Sequence, residues 1–422
     1  MFKICTFESM SVLYNLFVNL VSVLLKLIAL FNPKIKLFMD GRKQTFPILK
    51  EKIKPNDSVI WFHCASLGEF EQGRPVIEKV NQIYPNHKIV LSFFSPSGYE
   101  VRKNYKVADA VVYLPLDTKK NVYQFIDYVH PEIAVFVKYE FWPNLLNQLK
   151  KKEITTILIS GIFRENQIFF KSYGAWMKNK LQLFTHFFVQ DDSSKKLINS
   201  IGIENVTISG DTRFDRVSEI VNQNNHLDFI HEFKDNKITL VAGSTWADDD
   251  KLLINYINNH STENDKFIIA PHNINTDSIK KIQSELKVKS VLYSNYQTNE
   301  LKTARVFILD TIGILIKVYS YADIAYVGGG FTNGIHNILE PATFGIPIVI
   351  GPKYHKFNEA LEMVAENACL AVNNKEEFNN VLDDLKNEML SAKIGNQAKN
   401  YVKSRIGATN LILNYISNII KS

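Results

Sequence analysis

The chain has 422 residues, 46% of them hydrophobic and 22% charged; this exceeds what one core usually supports and predicts a packed two-domain protein rather than a disordered one. Its net charge of +6 is modest for the length and is not gathered into a basic stripe with interleaved aromatics, so nucleic acid is not an expected partner. Three widely separated cysteines, Cys5, Cys64 and Cys369, form neither a disulfide framework nor a zinc spacing and suit a reducing compartment.

An apolar segment runs from Met10 to Phe31. As a helix it would be roughly 33 Å long, enough to cross a bilayer core. It has no small-residue cleavage site and so reads as an anchor rather than a removable signal. Behind it Lys34, Lys36, Arg42, Lys43, Lys50, Lys52 and Lys54 crowd together against only Asp40 and Glu51. Such a cluster holds the following chain in the cytoplasm and attracts anionic lipid. Asn15, Asn19, Ser22 and Lys26 line one face of the same helix, so lying in the interface and spanning the bilayer both stay open. A buried packing helix is a third reading, under which the basic cluster has no explanation.

From residue 58 onward, short runs of valine, isoleucine and phenylalanine alternate with helical patterns. The expected strands are Val59 to Cys64, Lys88 to Phe94, Ala110 to Leu114, Ile133 to Val137, Thr155 to Ile159, His186 to Val189 and Val206 to Ser209. A second series follows at Ile238 to Val241, Phe267 to Ala270, Val306 to Leu309, Ile324 to Val327 and Ile346 to Ile350. This alternation predicts βαβ units, parallel sheets and an α/β fold. The polar stretch from Asp211 to Asn236 separates the two series. The expected organisation is therefore an anchor over 1–35, a doubly wound domain over 36–215, a linker over 216–236 and a second doubly wound domain over 237–422. Ligands would bind in the cleft between them. A last helix, from Gln397 to Ile420, is placed to pack across both domains.

Several loops carry chemistry. The first strand ends in Ala65-Ser66-Leu67-Gly68-Glu69, with a helical pattern beginning near Gly73. Glu69 stands where a general base belongs in a parallel sheet, and equally where a capping acid belongs. Glu140 follows the fourth strand and precedes Phe141-Trp142-Pro143-Asn144, as a second strand-end acid or as a cap for a proline-started helix. Asp248-Asp249-Asp250 read as first-turn helix acids rather than a metal site. Gly243-Ser244-Thr245 offers backbone N–H groups and hydroxyls to a phosphate. His63, inside a strand, reads as a satisfied core histidine, and His336 beside Asn337 as a ligand contact. Gly328, Gly329 and Gly330 lead from a strand toward His336-Asn337, Glu340-Pro341 and the second turn at Gly351. A dinucleotide turn would need glycine where Asn333 stands, and a P-loop would need lysine where Ile335 stands. A nucleotide-sugar site remains, with Glu340 accepting from ribose hydroxyls, beside the plainer reading of a tight strand-to-helix turn.

Together these segments resemble the 3-deoxy-D-manno-octulosonic acid (Kdo) transferases, inverting enzymes that attach Kdo to the lipid A precursor. The resemblance rests on Trp61 through Glu69, Glu140 through Asn144, Gly210 through Asp215, Leu309 through Gly313, and Val327 through His336-Asn337-Ile338-Leu339-Glu340-Pro341 to Gly351-Pro352. It covers nearly the whole chain. It implies a GT-B fold of two Rossmann-like domains facing a central cleft, and metal-independent transfer without a cofactor from CMP-Kdo to lipid IVA, at the cytoplasmic face of the inner membrane in lipopolysaccharide synthesis. It further implies Glu69 as catalytic base and Glu140 as a second matched acid. Ser244, Thr245, Pro271, His272, Gly328, Gly329, Gly330, His336, Asn337 and Glu340 would be the nucleotide-binding set. Arg213 stands where the family usually has lysine, as a charge for the donor phosphate. Three places depart from the family pattern: Arg164 after Phe163, ahead of the family helix that corresponds to Gln167 to Phe184, Asn273 after Pro271-His272, and Ile335 in place of a second glycine. Phe169, Phe170, Lys171, Tyr173, Trp176, Met177 and Lys178 could dock a lipid acceptor or pack as core. Two other functions stay open: a GT-B transferase or epimerase for a UDP-sugar, which the anchor and the two acids disfavour, and a nucleotide-sugar-binding protein without catalysis, which Glu69 disfavours.

Overall fold

A computed structural model describes residues 7–420. Cys5 lies outside the described residues, while Cys64 and Cys369 are buried free thiols. The chain divides into two compact units: the residues up to Asp215 together with those from Gly407 onward, and Arg216–Ile406.

The first unit holds seven strands: β1 (Val59–Cys64), β2 (Lys88–Phe93), β3 (Ala110–Tyr113), β4 (Ile133–Val137), β5 (Thr155–Gly161), β6 (His186–Val189) and β7 (Val206–Ile208). They pair in the order β3-β2-β1-β4-β5-β6-β7, all parallel. Alternation along β1 explains why both faces are covered. Val59 and Trp61 enter one buried cluster, with Phe125, Phe136 and Leu145, while Ile60, Phe62 and Cys64 enter the other, with Phe70, Val76 and Ile77. Glycine at 73 lets the helix Leu67–Ile83 close on the sheet, since a Cβ there would stand 3.0 Å from Val137 and 3.2 Å from the Cys64 sulfur.

The second unit holds β8 (Ile238–Thr245), β9 (Asp265–Pro271), β10 (Ser290–Leu292), β11 (Val306–Ile308), β12 (Ile324–Val327), β13 (Ile348–Ile350) and β14 (Leu370–Ala371). Their order is β10-β11-β9-β8-β12-β13-β14, again all parallel. Every strand expected from sequence is present, and β10 and β14 were not expected. The direction of winding reverses between β1 and β4 in one sheet and between β8 and β12 in the other. Loops at the carboxyl ends of those strands are where such sheets take their ligands.

Three expectations are corrected. The stretch assigned to a linker holds the helices Thr212–Ile220 and Asp228–Lys234, because Phe214, Val217, Ile220, Ile230 and Phe233 give it apolar faces to bury. The expected last helix is two, Glu388–Lys403 and Ala408–Ile420, broken at Gly407 with φ +118. Of these, Ala408–Ile420 belongs to the first unit, where Ile412, Leu413 and Ile416 join its core. Finally, the helix expected over Gln167 to Phe184 is two short 3-10 turns and the helix Ala175–Leu181.

Candidate active site

In the first unit, Glu69 sits on the first turn of the helix that follows β1. Its Oε2 accepts from the Ser66 backbone N–H at 3.0 Å and from the Ser66 hydroxyl, so the capping role is realised and the carboxylate is held at the strand end. Glu140, after the neighbouring strand β4, does not cap the helix Pro143–Lys151. Instead its Oε2 accepts from the Trp142 indole N–H at 2.7 Å and lies 3.4 Å from His63 Nε2. Burial pushes the Glu140 carboxyl up, but the hydrogen bond and charge of His63 and the Trp142 indole outweigh it and hold the group below its usual range.

His63 is fully buried and satisfied as expected, yet it is part of this site. Its Nδ1 lies 2.8 Å from Ser92 Oγ, which also accepts from Trp61 Nε1 at 2.8 Å. Sequence reasoning passed over the connection because His63 and Glu140 are 77 residues apart; their nearness follows from the pairing of β1 with β4. Burial pushes the Cys64 thiol up, and the charges of Glu69 and Glu140 raise it further. Tyr139, between Glu140 and the left-handed Lys138 (φ +67), feels both Arg164 and Glu69.

Arg213 does not stand alone as a phosphate charge. Its guanidinium pairs with Asp211 through Nε and Nη2, both at 2.8 Å, and Asp211 also accepts from Gln72 at 3.1 Å.

In the second unit the glycine turn is built more tightly than a cradle of free N–H groups. The Gly328 N–H donates to Gly243 O at 2.9 Å, and the Gly329 N–H donates to Asp249 Oδ2 at 2.8 Å. Two of the three donors expected to meet a phosphate are therefore used internally. The glycines are required for close approach: a Cβ on Gly330 would lie 2.6 Å from the Gly351 backbone, and Gly329 has φ +94. Asp249, fully buried, organises the turn by also accepting from the Trp246 N–H at 2.8 Å and the Tyr326 hydroxyl at 2.6 Å. Of the other two aspartates, Asp248 pairs with Lys251 at 2.8 Å. Asp250 borders a cavity of about 160 Å³ lined by Thr245, Pro271, Asn273 and Lys281, and burial pushes its carboxyl up to about 6.

Ser244 lies at a bulge in β8 with φ +55, a strained conformation for serine, next to the almost fully buried Thr245. Then comes Trp246, which sequence reasoning missed although it directly follows Ser244-Thr245. Its ring stacks on His272 at 4.7 Å, His272 stacks on His336 at 4.5 Å, and Trp246 Nε1 donates to His336 Nε2 at 3.1 Å. Burial and the neighbouring His272 lower the His336 imidazole to about 4, which keeps it neutral. Asn337 Nδ2 donates to Glu340 Oε1 at 3.0 Å while Asn337 Oδ1 accepts from the Leu339 N–H at 3.1 Å. Burial pushes the Glu340 carboxyl up against the opposing pull of Arg216 and Asn337. Arg216 begins immediately after the matched segment that ended at Asp215, and so went unnoticed.

Residues 40–216 match the protein family described as 3-deoxy-D-manno-octulosonic-acid transferase (kdotransferase). A 3-deoxy-D-manno-octulosonic acid transferase of Rickettsia typhi is 26% identical over 82% of this chain and 76% of its own length. Over these stretches the chain is similar to the Kdo transferases. A bifunctional glycosyltransferase/methyltransferase of Fusobacterium nucleatum is 30% identical over 92% of this chain, which spans only 61% of that relative's length. A putative UDP-N-acetylglucosamine 2-epimerase from Listeria monocytogenes has the same fold, with a TM-score of 0.60 over 86% of this chain and 97% of its own at 11% identity. That likeness concerns the fold alone, the GT-B class of two doubly wound domains.

Against the Kdo transferase pattern, the departures have local explanations. Ile335 is buried at 4% exposure, while the neighbouring Gly334 has φ +120, so only the first glycine of the family's pair is needed by this backbone. Arg164 is exposed after β5, and its charge acts on Tyr139. Asn273 lines the cavity at Thr245.

Proposed function

We propose that this protein is a Kdo transferase that moves Kdo from CMP-Kdo to lipid IVA with inversion. The observation that carries the reading is the placement of Glu69 and Glu140 at the β1/β4 switch point, in a chain whose residues 40–216 match the Kdo transferase family. Glu69 takes the proton of the acceptor hydroxyl as its oxygen attacks the anomeric carbon, and the bond to CMP breaks on the opposite side. Glu140, held ionised by His63 and Trp142, accepts hydrogen bonds from acceptor hydroxyls and shares no proton. In the second unit Ser244, Thr245, Pro271, His272, Gly330, His336, Asn337 and Glu340 take the nucleotide, with Glu340 on the ribose. Arg213 and Arg216 balance the phosphate without a bridging metal. The apolar helix Phe7–Ile28 supports work at a membrane, and a lipid IVA acceptor would place it at the cytoplasmic face of the inner membrane.

The test is to follow CMP release from CMP-Kdo with lipid IVA for wild type and Glu69→Ala. Equal rates in both would remove Glu69 from the mechanism. Binding of CMP with no release would point to a binding protein instead, and release from a UDP-sugar only would favour the other donor class.

A further inference from the structure

We propose that the helix Phe7–Ile28 lies along an anionic lipid surface as an in-plane strap and does not cross the bilayer. This rests on the membrane attachment proposed above and adds the orientation. Three of its polar residues are already used by the rest of the first unit. The Tyr14 hydroxyl donates to Asp117 Oδ2 at 2.7 Å, Asn144 Nδ2 donates to Asn15 Oδ1 at 2.9 Å, and Trp176 Nε1 donates to Ser11 Oγ at 3.2 Å. Asp117 is only 4% exposed and also holds the Asn144 and Leu145 N–H groups, both at 2.9 Å, so this attachment point is part of the sheet's loop structure.

The far end of the helix returns to the same unit. Asn32 caps the helix Pro33–Lys43 by accepting from the Lys34 and Ile35 N–H groups. On that helix Arg42 donates to Phe94 O at 2.8 Å, and just beyond it Thr45 donates to Tyr113 O at 2.8 Å. Ser11 and Asn32 are roughly 31 Å apart along a helix. A spanning helix would carry Ser11 and Asn32 to opposite sides of a bilayer, whereas here Ser11, Tyr14 and Asn15 are bonded to the first unit and so are Arg42 and Thr45, on the chain that follows Asn32.

The opposite face of the helix has no such partners. Leu13, Leu16, Phe17, Leu20, Leu24 and Leu27 recur at three- and four-residue spacing and are 44–65% exposed. Their stripe is apolar over the length of the helix, too large to be an ordinary patch on a soluble surface. Lys26, Lys34 and Lys36 are exposed beside it, which matches anionic headgroups rather than a neutral protein groove.

The experiment uses the full chain. Sedimentation with phosphatidylglycerol-containing vesicles should fall ~tenfold or more for Leu16→Glu/Leu20→Glu, as expected when two leucines that the strap seats in the lipid become charged. In parallel, Glu8→Cys in a Cys5→Ser background is expressed, and inside-out and right-side-out membrane vesicles are treated with an impermeant maleimide. The strap predicts labelling from the cytoplasmic side only. Labelling from the opposite side only would overturn the strap while leaving attachment intact. Absence from membranes altogether would overturn the attachment itself, and self-association abolished by Leu16→Glu without vesicle binding would assign the stripe to a second copy of the chain.

Discussion

A carboxylate that caps its own helix is oriented but not consumed, and this is the situation of Glu69. Both hydrogen bonds from Ser66 converge on Oε2, so in the proposed reaction Oε1 would be the oxygen that meets the acceptor hydroxyl. Glu69→Gln should lower CMP release by about 10²–10⁴-fold, the usual worth of a positioned base, while CMP binding measured by calorimetry stays unchanged. Ser66→Ala should cost far less, because the backbone N–H bond to Glu69 survives it. Glu140 makes a different prediction. Its carboxyl is held below the ordinary value of 4.5 in the folded chain, so the unfolded state binds its proton first as pH falls. The stabilisation it provides is therefore complete at neutral pH and lost as pH drops below about 4.5. Urea midpoints of wild type and Glu140→Gln should differ at pH 7 and converge toward pH 4. A constant difference would show that its charge is not what His63 and Trp142 hold.

At the scale of single elements, the turn after β12 shows what a sequence can and cannot disclose. The strand, the glycines and the helix start were legible because apolar run, turn residues and the Glu340-Pro341 step are all local. The partner that shapes the turn was not, since Asp249 lies 80 residues before the Gly329 N–H it accepts and in sequence looks like any first-turn acid. The same limit hid the links from His63 to Glu140 and from Tyr14 to Asp117, each made by side chains that only the sheet order brings together. Asp249→Asn keeps the shape but offers an amide to at least one of three donors, leaving a buried donor unsatisfied. The cost should be about 1–3 kcal/mol in unfolding free energy. Tyr326→Phe in the same background should be less than additive, with a coupling of about 0.5–3 kcal/mol, because the two share one hydrogen bond. Full additivity in the double-mutant cycle would mean that the Tyr326 hydroxyl contributes nothing to the turn.

Across the whole molecule, chain order and compact units do not coincide. The chain leaves the first unit after Asp215 and re-enters it at Gly407, and one residue serves both crossings. Asp215 accepts from the Gly407 N–H at 2.5 Å and the Thr409 N–H at 2.7 Å, satisfying the start of the helix Ala408–Ile420. A polar boundary near residue 215 was visible in the sequence. The return was not, because a terminal amphipathic helix carries no mark of which core it joins. Here that core is the face of the first sheet holding Ile60, Phe62 and Val135, to which Ile412 and Ile416 add fully buried side chains. Ile412→Ala should therefore destabilise the first unit by about 2–5 kcal/mol and leave the second unit untouched, although the residue is ten positions from the end of the chain. Hydrogen exchange resolved by segment reads this directly: amides of β1, β2 and β4 should lose protection while those of β8, β9 and β12 keep theirs. Asp215→Ala should move the same set in the same direction by a smaller step, about 0.5–2 kcal/mol for a lost cap. Protection lost evenly in both sheets would mean that the two units unfold as one, and that the last helix supports the molecule as a whole.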